Sequence, residues 1–394
     1  MTTEPETLLT RVKKLLRWSY YRLFRARYDA LRWYCYRLFR ARYYALALRR
    51  CYNVAELLRS PAHRAKRLII FLVPGKEFIS GGILSIFNLY RFSRAMEAIH
   101  GAQVVMCYYP YEARTASRYV MFDNDVTIYP FEMVMATCRN ASHVLMHIPE
   151  YAVEDILNRI GWDSLWRLRA ERNLRANILN QNALLMPRPQ SVARLREVIG
   201  DLTCTAAFPR FVTVEQRRYW NVPLHFLPAW TRPDDGDPTP YETKRNLMIV
   251  SPDSHPQREA VLRFVRETFP DMEIRVIKDL RFEEYLKLEE VAKWSLTFGE
   301  GLDGYFAGVV LRGGVGFAVF NEIFFPEEYR SLQTVYPDYP TLLRRIWEDM
   351  RSLDNKESLE AYSAKVRSLL AENWGPQKTR AALAAFYREE YTLP

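Results

Sequence analysis

The chain is poor in the residues that announce disulfide, metal or nucleophile chemistry. Its five cysteines (Cys35, Cys51, Cys107, Cys138, Cys204) include no Cys-x-x-Cys pair, and their odd number excludes a fully paired disulfide framework. Scattered thiols of this kind fit a reducing compartment. Only six histidines are present, no H-E-x-x-H string joins two of them, and neither a P-loop nor a G-x-S-x-G elbow occurs. No run of eighteen apolar residues is found, which excludes a spanning helix. The start, MTTEPETLL, carries acids where a secretory leader carries bases. A cytoplasmic location is the expectation.

Glycine is scarce too, and its distribution is uneven. Seven of the fifteen (Gly299, Gly301, Gly304, Gly308, Gly313, Gly314, Gly316) fall in Trp294 to Asn321, WSLTFGEGLDGYFAGVVLRGGVGFAVFN. A short apolar strand, Trp294 to Phe298, runs into an acidic turn with Glu300 and Asp303. A helix-length segment, a Gly-Gly turn and a second strand, Phe317 to Phe320, follow. Glycines between strand and helix let backbone approach a ligand closely, and a helix N-terminus there suits phosphate. A tight βαβ turn that merely needs small residues has the same appearance.

Charge is equally uneven. The net charge is +10, yet fourteen of the 56 Lys and Arg and four of the 46 Asp and Glu lie in residues 1–60, which leaves 42 of each sign in the rest. The basic excess is therefore an appendage on a neutral body, and no nucleic-acid partner is expected for that body. Residues 8–58 read as one long helix, free of Gly and Pro and ended by Ser60-Pro61. Within it YRLFRARYDA (Tyr21 to Ala30) recurs as YRLFRARYYA (Tyr36 to Ala45), 15 residues on, close to the helical period. Aromatic and Leu side chains interleaved with Arg fit a helix lying on an anionic membrane surface. Self-association through the aromatic stripe, or contact with single-stranded nucleic acid, fits the same composition.

Beyond the arm, short apolar runs alternate with helical ones. Strands are expected at Leu68 to Val73, Gln103 to Tyr108, Val126 to Tyr129, Val144 to His147, Ile178 to Leu185 and Leu202 to Ala207. Pro228, Pro233, Pro238 and Pro240 mark a linker, after which Leu247 to Val250, Glu273 to Ile277 and Trp294 to Phe298 continue the series. Pro340 to Tyr391 reads as helical apart from Gly375-Pro376. The expected organisation is a helical arm (1–60), a Rossmann-like domain (65–232), a second Rossmann-like domain (241–340) and C-terminal helices (341–394) that pack back across both. In such α/β sheets the ligand crevice lies beyond the carboxyl ends of the strands. That rule places His147 and Glu150, and across the linker Asp253 and His255, on the crevice side. His147 is the candidate base. Two Asp-x-Asp strings, Asp123-Asn124-Asp125 and Asp235-Gly236-Asp237, precede a strand and sit in the linker, so no metal site is expected from them.

FLVPGKEFISGG ahead of a helix, DVTIYP and HVLMHIPEY in the first half, and FGEGLDGYF in the second resemble the GT-B glycosyltransferases. The likeness is greatest to the nucleotide-sugar enzymes that build bacterial surface polysaccharides, and it runs from about Leu68 to the C-terminus. It implies two Rossmann-like domains facing a crevice, with the acceptor on the first and the donor on the second. The activity it implies is transfer of a hexosyl or deoxyhexosyl group from a nucleotide sugar to a glycan or lipid-linked acceptor, without metal or other cofactor. Gly81 and Gly82 would then lie against the donor. Glu300 would match the first glutamate of the Glu-x7-Glu pattern of retaining members, and with His147 it makes the catalytic pair. Asp253, His255, Arg258, Lys278, Gly299, Gly301, Asp303 and Gly304 would complete the donor site. The second glutamate of the pattern is missing, because Ala307 and Gly308 stand in its place. A non-catalytic glycan- or nucleotide-binding subunit of an assembly complex is the alternative. The arm would hold the protein at the inner face of an anionic membrane, or pair it with a second copy.

Overall fold

The computed structural model describes residues 53–77, 79–108, 117–122, 125–159, 169–232 and 237–394. The chain divides into two compact units, Met1–Glu56 and Leu57–Pro394. The arm repeat lies outside the described residues, as do Asp123, Asn124, Asp235 and Gly236. Of the arm helix only 53–59 is described, and it is helical.

Leu57–Pro394 contains two sheets in which every strand pairing is parallel. The first has seven strands: β1 (Arg67–Val73), β2 (Gln103–Tyr108), β3 (Ile128–Pro130), β4 (His143–Pro149), β5 (Asn173–Asn180), β6 (Asp201–Ala206) and β7 (Leu224–Phe226). Their order is β3-β2-β1-β4-β5-β6-β7. The second holds β8 (Arg245–Val250), β9 (Glu273–Val276), β10 (Ala292–Leu296), β11 (Val315–Val319) and β12 (Val335–Tyr336), in the order β12-β11-β10-β8-β9. This bears out the expected α/β architecture of two doubly wound halves.

The apolar runs explain the layering. Leu68 to Val73 of β1 are all buried, with Ile70 and Leu72 in one core and Ile69, Phe71 and Val73 in another. A strand buried on both faces needs helices on both, and parallel connections supply them. Helix starts follow local chemistry: Ser80 accepts from the Ile83 amide (3.3 Å) ahead of Gly81–Arg94, and Asp303 accepts from Tyr305 (2.8 Å) and Phe306 (2.9 Å) ahead of Gly304–Leu311.

The strand order reverses twice, and each reversal opens a crevice. In the first sheet it falls between β1 and β4, in the second between β8 and β10, so consecutive connections leave in opposite directions there. Several details differ from expectation. β5 begins at Asn173 and stops at Asn180, because Arg175 is carried into the strand by its pairing with Asp201 (2.6 Å). Asn182 ends that run by accepting from the Leu184 amide (2.9 Å). The two- and three-residue strands β12 and β7 have too little apolar sequence to be seen in advance. The C-terminal segment is three helices, Tyr339–Leu353, Lys356–Asn373 and Pro376–Tyr387, separated at Asp354-Asn355 and at Gly375, whose φ is 146°.

The last helix lies on the first sheet's half. Thr379 Oγ1 donates to the Pro228 carbonyl (3.3 Å), the His225 Nε2 to Ala382 carbonyl distance is 2.8 Å, and Leu393 forms an antiparallel bridge with Leu224. The two halves also touch at Arg232 with Glu289, at Asn182 with Glu300, and where the Phe282 amide donates to the Met121 carbonyl (3.0 Å).

Candidate functional site

A cleft of about 390 Å³ opens at the carboxyl edge of the second sheet, where the loops after β10, β11 and β12 meet. Its floor is the glycine turn. Gly299 (φ 71°) and Gly301 (φ 78°) are left-handed, and a Cβ on Gly301 would stand 2.6 Å from Phe325 and 2.9 Å from the Val319 carbonyl. Only glycine serves there. The wall is aromatic: the ring centroids of His255 and Tyr339 are 4.3 Å apart, and Phe298 lies nearly parallel to Tyr339 at 6.0 Å. The Arg330 guanidinium covers the Phe320 ring at 3.9 Å, and Asn321 and Glu322 also line the cleft. Asn321 is fixed by donating to the Gly299 carbonyl (3.1 Å).

Glu300, between the two cleft-lining glycines of the turn, reaches the first half of the molecule. Asn182 Nδ2, from the loop after β5, donates to Glu300 Oε1 (2.9 Å), while the Asn182 amide donates to Glu150 Oε1 (3.1 Å). Glu150 follows β4, at the first sheet's reversal, so one asparagine ties together the two places where strand order turns. Burial raises the Glu150 carboxyl to about 7 against the pull of backbone amides. Burial, then the neighbouring Asp253, raises Glu300 as well, and burial holds Asp303 well above the usual carboxylate range.

The structure brings together Asp253, His255, Arg258, Gly299, Glu300, Gly301 and Asp303. Asp253 perturbs Glu300 and Asp303, and Arg258 lies over the Phe298 ring at 6.0 Å. Gly82 stands at this junction too, because a Cβ there would lie 3.3 Å from Gln181, next to Asn182; Gly81 packs on Thr231 of the linker. Lys278 is exposed beyond the end of edge strand β9, on the far side of β8 from the glycine turn. The Gly304 carbonyl faces Arg232 Nη2 (3.2 Å) and the Tyr285 hydroxyl (3.3 Å), toward the junction of the halves rather than the cleft. Asp303 already takes the amides of Tyr305 and Phe306, so this helix end does not offer them to a phosphate.

His147 requires correction as a base. It is fully buried, stacked on Phe71 at 4.4 Å, with Asn177 donating to Nδ1 (3.2 Å) and the Tyr387 hydroxyl 3.3 Å from Nε2. Burial pushes its pKa down to about 3. The imidazole is a neutral core group, sealed by the C-terminal helix, and Glu150 three residues later holds the crevice side. Sequence reading did not single out Phe320, Glu322, Arg330 and Tyr339, from the loops after β11 and β12, or Asn182, from far earlier in the chain. A Rossmann-type G-x-G-x-x-G following a strand, expected to be absent, is in fact present as Gly299-Glu300-Gly301-Leu302-Asp303-Gly304 between a strand and a helix.

The place of the missing second glutamate also has a physical account. A Cβ on Gly308 would run into the Arg232 guanidinium and the Glu289 carboxylate, a buried pair that fills the space. No side chain fits at that position. Among the described residues, no three His, Cys, Asp or Glu side chains converge to hold a metal ion.

No family model matches the chain, and no curated protein is similar to it in sequence. Solved structures are. Anabaena Alr3699/HepE in complex with UDP-glucose superposes with a TM-score of 0.52 at 8% identity, covering 82% of this chain and 99% of that one. The glycotransferase of kitacinnamycin (TM-score 0.45, 13% identity, 83% and 99% covered) and an E. coli trehalose-6-phosphate protein bound with UDP-2-fluoro glucose (0.47, 11%, 82% and 99%) are more distant likenesses. The fold is GT-B: two Rossmann-like halves, each with its strand-order reversal turned to a common crevice.

Proposed function

We propose that this protein is a glycosyltransferase that takes a nucleotide-sugar donor in the second-half cleft and passes the sugar to an acceptor held on the first half. The observation that carries this reading is the aromatic-walled, glycine-floored cleft opening onto a bridged carboxyl pair, Glu300 and Glu150. Its volume, about 390 Å³, suits a nucleoside diphosphate and part of a sugar. The HepE structure holds UDP-glucose, which supports a nucleotide sugar as the donor class. Transfer needs charge to meet the leaving diphosphate and a base for the acceptor hydroxyl. In this reading Arg330, which lines the cleft, and Arg258, over the Phe298 ring at 6.0 Å, supply that charge without a metal, and Glu150 takes the role of base in place of His147.

The acceptor side is apolar at its rim. Ile79, Val120, Tyr151, Leu184 and Leu185, all at least one-third exposed, lie on the loops after β1, β2, β4 and β5. Such a rim supports a lipid-linked acceptor of the kind used in surface polysaccharide synthesis. The basic aromatic arm would hold the enzyme peripherally at the cytoplasmic face of an anionic membrane, which flotation with anionic and neutral vesicles tests. The second reading, a non-catalytic binding subunit, is favoured by one observation: Gly308 stands where retaining enzymes carry a glutamate.

A panel of nucleotide sugars, followed by thermal shift and donor turnover in the presence of EDTA, separates the two. An enzyme turns over at least one donor, and Tyr339→Ala weakens its binding. Binding without turnover with any lipid-linked or glycan acceptor supports the subunit. Absence of all nucleotide binding ends both readings.

A further inference from the structure

Resting on the reading of the cleft as a nucleotide site, we infer that Glu322 is the carboxylate that receives the ribose hydroxyls. The argument begins with topology. β10, the glycine turn, helix Gly304–Leu311 and β11 form one βαβ unit whose two strands are hydrogen-bonded neighbours, with Trp294 opposite Val315 and Leu296 opposite Phe317. In a nucleotide-binding unit of this kind the glycine turn stands at the diphosphate end, and here it is the backbone at Gly299 and Gly301, not the capped helix end, that lines the cleft. An acid just past the next strand, about 20 residues on, accepts from the ribose. Here β11 ends at Val319, and Glu322 follows as an exposed residue on the wall of the cleft.

Three further observations fit. Asn321 is tied to Gly299, so the segment carrying Glu322 is held at a fixed distance from the turn. The neighbouring Asn321 carbonyl and side chain are spent on Phe324, Phe325 and Ile323, which locks the backbone of this corner. Arg330 and Phe320 line the same cleft as Glu322, with the guanidinium 3.9 Å from the ring centroid, and offer a flat cationic and aromatic surface on which a base can stack. The alternative carboxylate, Glu300, is turned inward to Asn182, and Asp303 is occupied as a helix cap. Glu322 is left as the acid able to face a ligand from the β11 side.

The experiment measures affinity rather than turnover. Titration calorimetry compares UDP, ADP and GDP with their 2′,3′-dideoxy counterparts on the full chain and on Glu322→Gln and Glu300→Gln, with circular dichroism as the folding check. The wild type is expected to prefer the ribonucleotide that it binds by about tenfold or more, the scale of a hydrogen bond to a charged group. Glu322→Gln should erase most of that preference while changing the dideoxy affinity less than about twofold. Equal losses for both ligands, or a preference that disappears in Glu300→Gln and survives in Glu322→Gln, would overturn the assignment. If none of the diphosphates binds the wild type, the nucleotide reading itself falls and the ribose assignment goes with it. If nucleotide binds but the preference is untouched by Glu322→Gln, only the assignment falls.

Discussion

At the scale of single residues, exchanging His147 for Glu150 as the acceptor-side base changes what a pH profile should show. A carboxyl raised to about 7 is protonated below that value and cannot take a proton from the acceptor. Transfer should therefore fall as pH drops through about 7, and Glu150→Gln should lower kcat by 10²–10⁴-fold, on the order expected for a lost general base, and flatten that limb. His147→Gln should leave the limb in place. A profile that keeps its acid limb in Glu150→Gln would exclude the role. The difference between the two residues was invisible along the chain, since both stand near the end of the same strand. Three positions decide which is covered by Phe71, Phe386 and Tyr387 and which meets the loop after β5.

At the scale of elements, the C-terminal helix Pro376–Tyr387 is fastened by buried polar groups that hold histidines neutral. The Tyr387 hydroxyl lies between His147 and Ser93 (2.5 Å), and the Ala382 carbonyl and Thr392 face the two nitrogens of His225. Burial lowers the pKa of His147 to about 3 and that of His225 as well. A group depressed from about 6.5 stabilises nothing extra above that value. It costs stability as pH falls through the window toward 3, at up to ~1.4 kcal/mol per pH unit for one group. Glu150, raised to about 7, acts with the opposite sign over part of the same range. In urea unfolding between pH 7 and 4 the wild type should lose stability with acid relative to His147→Gln, whatever the net slope left by the raised carboxyls. The same pH dependence in both proteins would mean that His147 does not stay neutral in the fold. The repeated FRARY arm, by contrast, was legible as sequence but falls outside the described residues.

At the scale of the whole molecule, the Arg232–Glu289 pair joins the end of the first half to the second, with both side chains no more than 6% exposed. Burial opposes the charge on Arg232, but the Glu289 carboxylate overcomes it and raises the guanidinium pKa. Removing one partner strands the other, so Arg232→Ala should cost about 3–5 kcal/mol in chemical denaturation. The double change Arg232→Met with Glu289→Leu should cost far less, because no buried charge is left alone. Equal losses in the two variants would show that packing, not charge, carries the junction. Gly308→Ala should be disruptive for the same reason, since its methyl group meets both partners.

Much of this was written in the chain. Fully apolar runs such as Leu68 to Val73 dictate parallel strands covered on both faces, and glycines 299 and 301 mark a turn only they can make. Both are local properties, set by side-chain burial and by backbone sterics. What only the tertiary structure decided is which distant segments meet. Sequence order cannot show that Asn182 lies between Glu150 and Glu300, that Tyr339 faces His255, or that a salt bridge from the linker occupies the space at Gly308. Those contacts follow from the order in which strands join the two sheets, which depends on long-range packing rather than on any run of neighbouring residues.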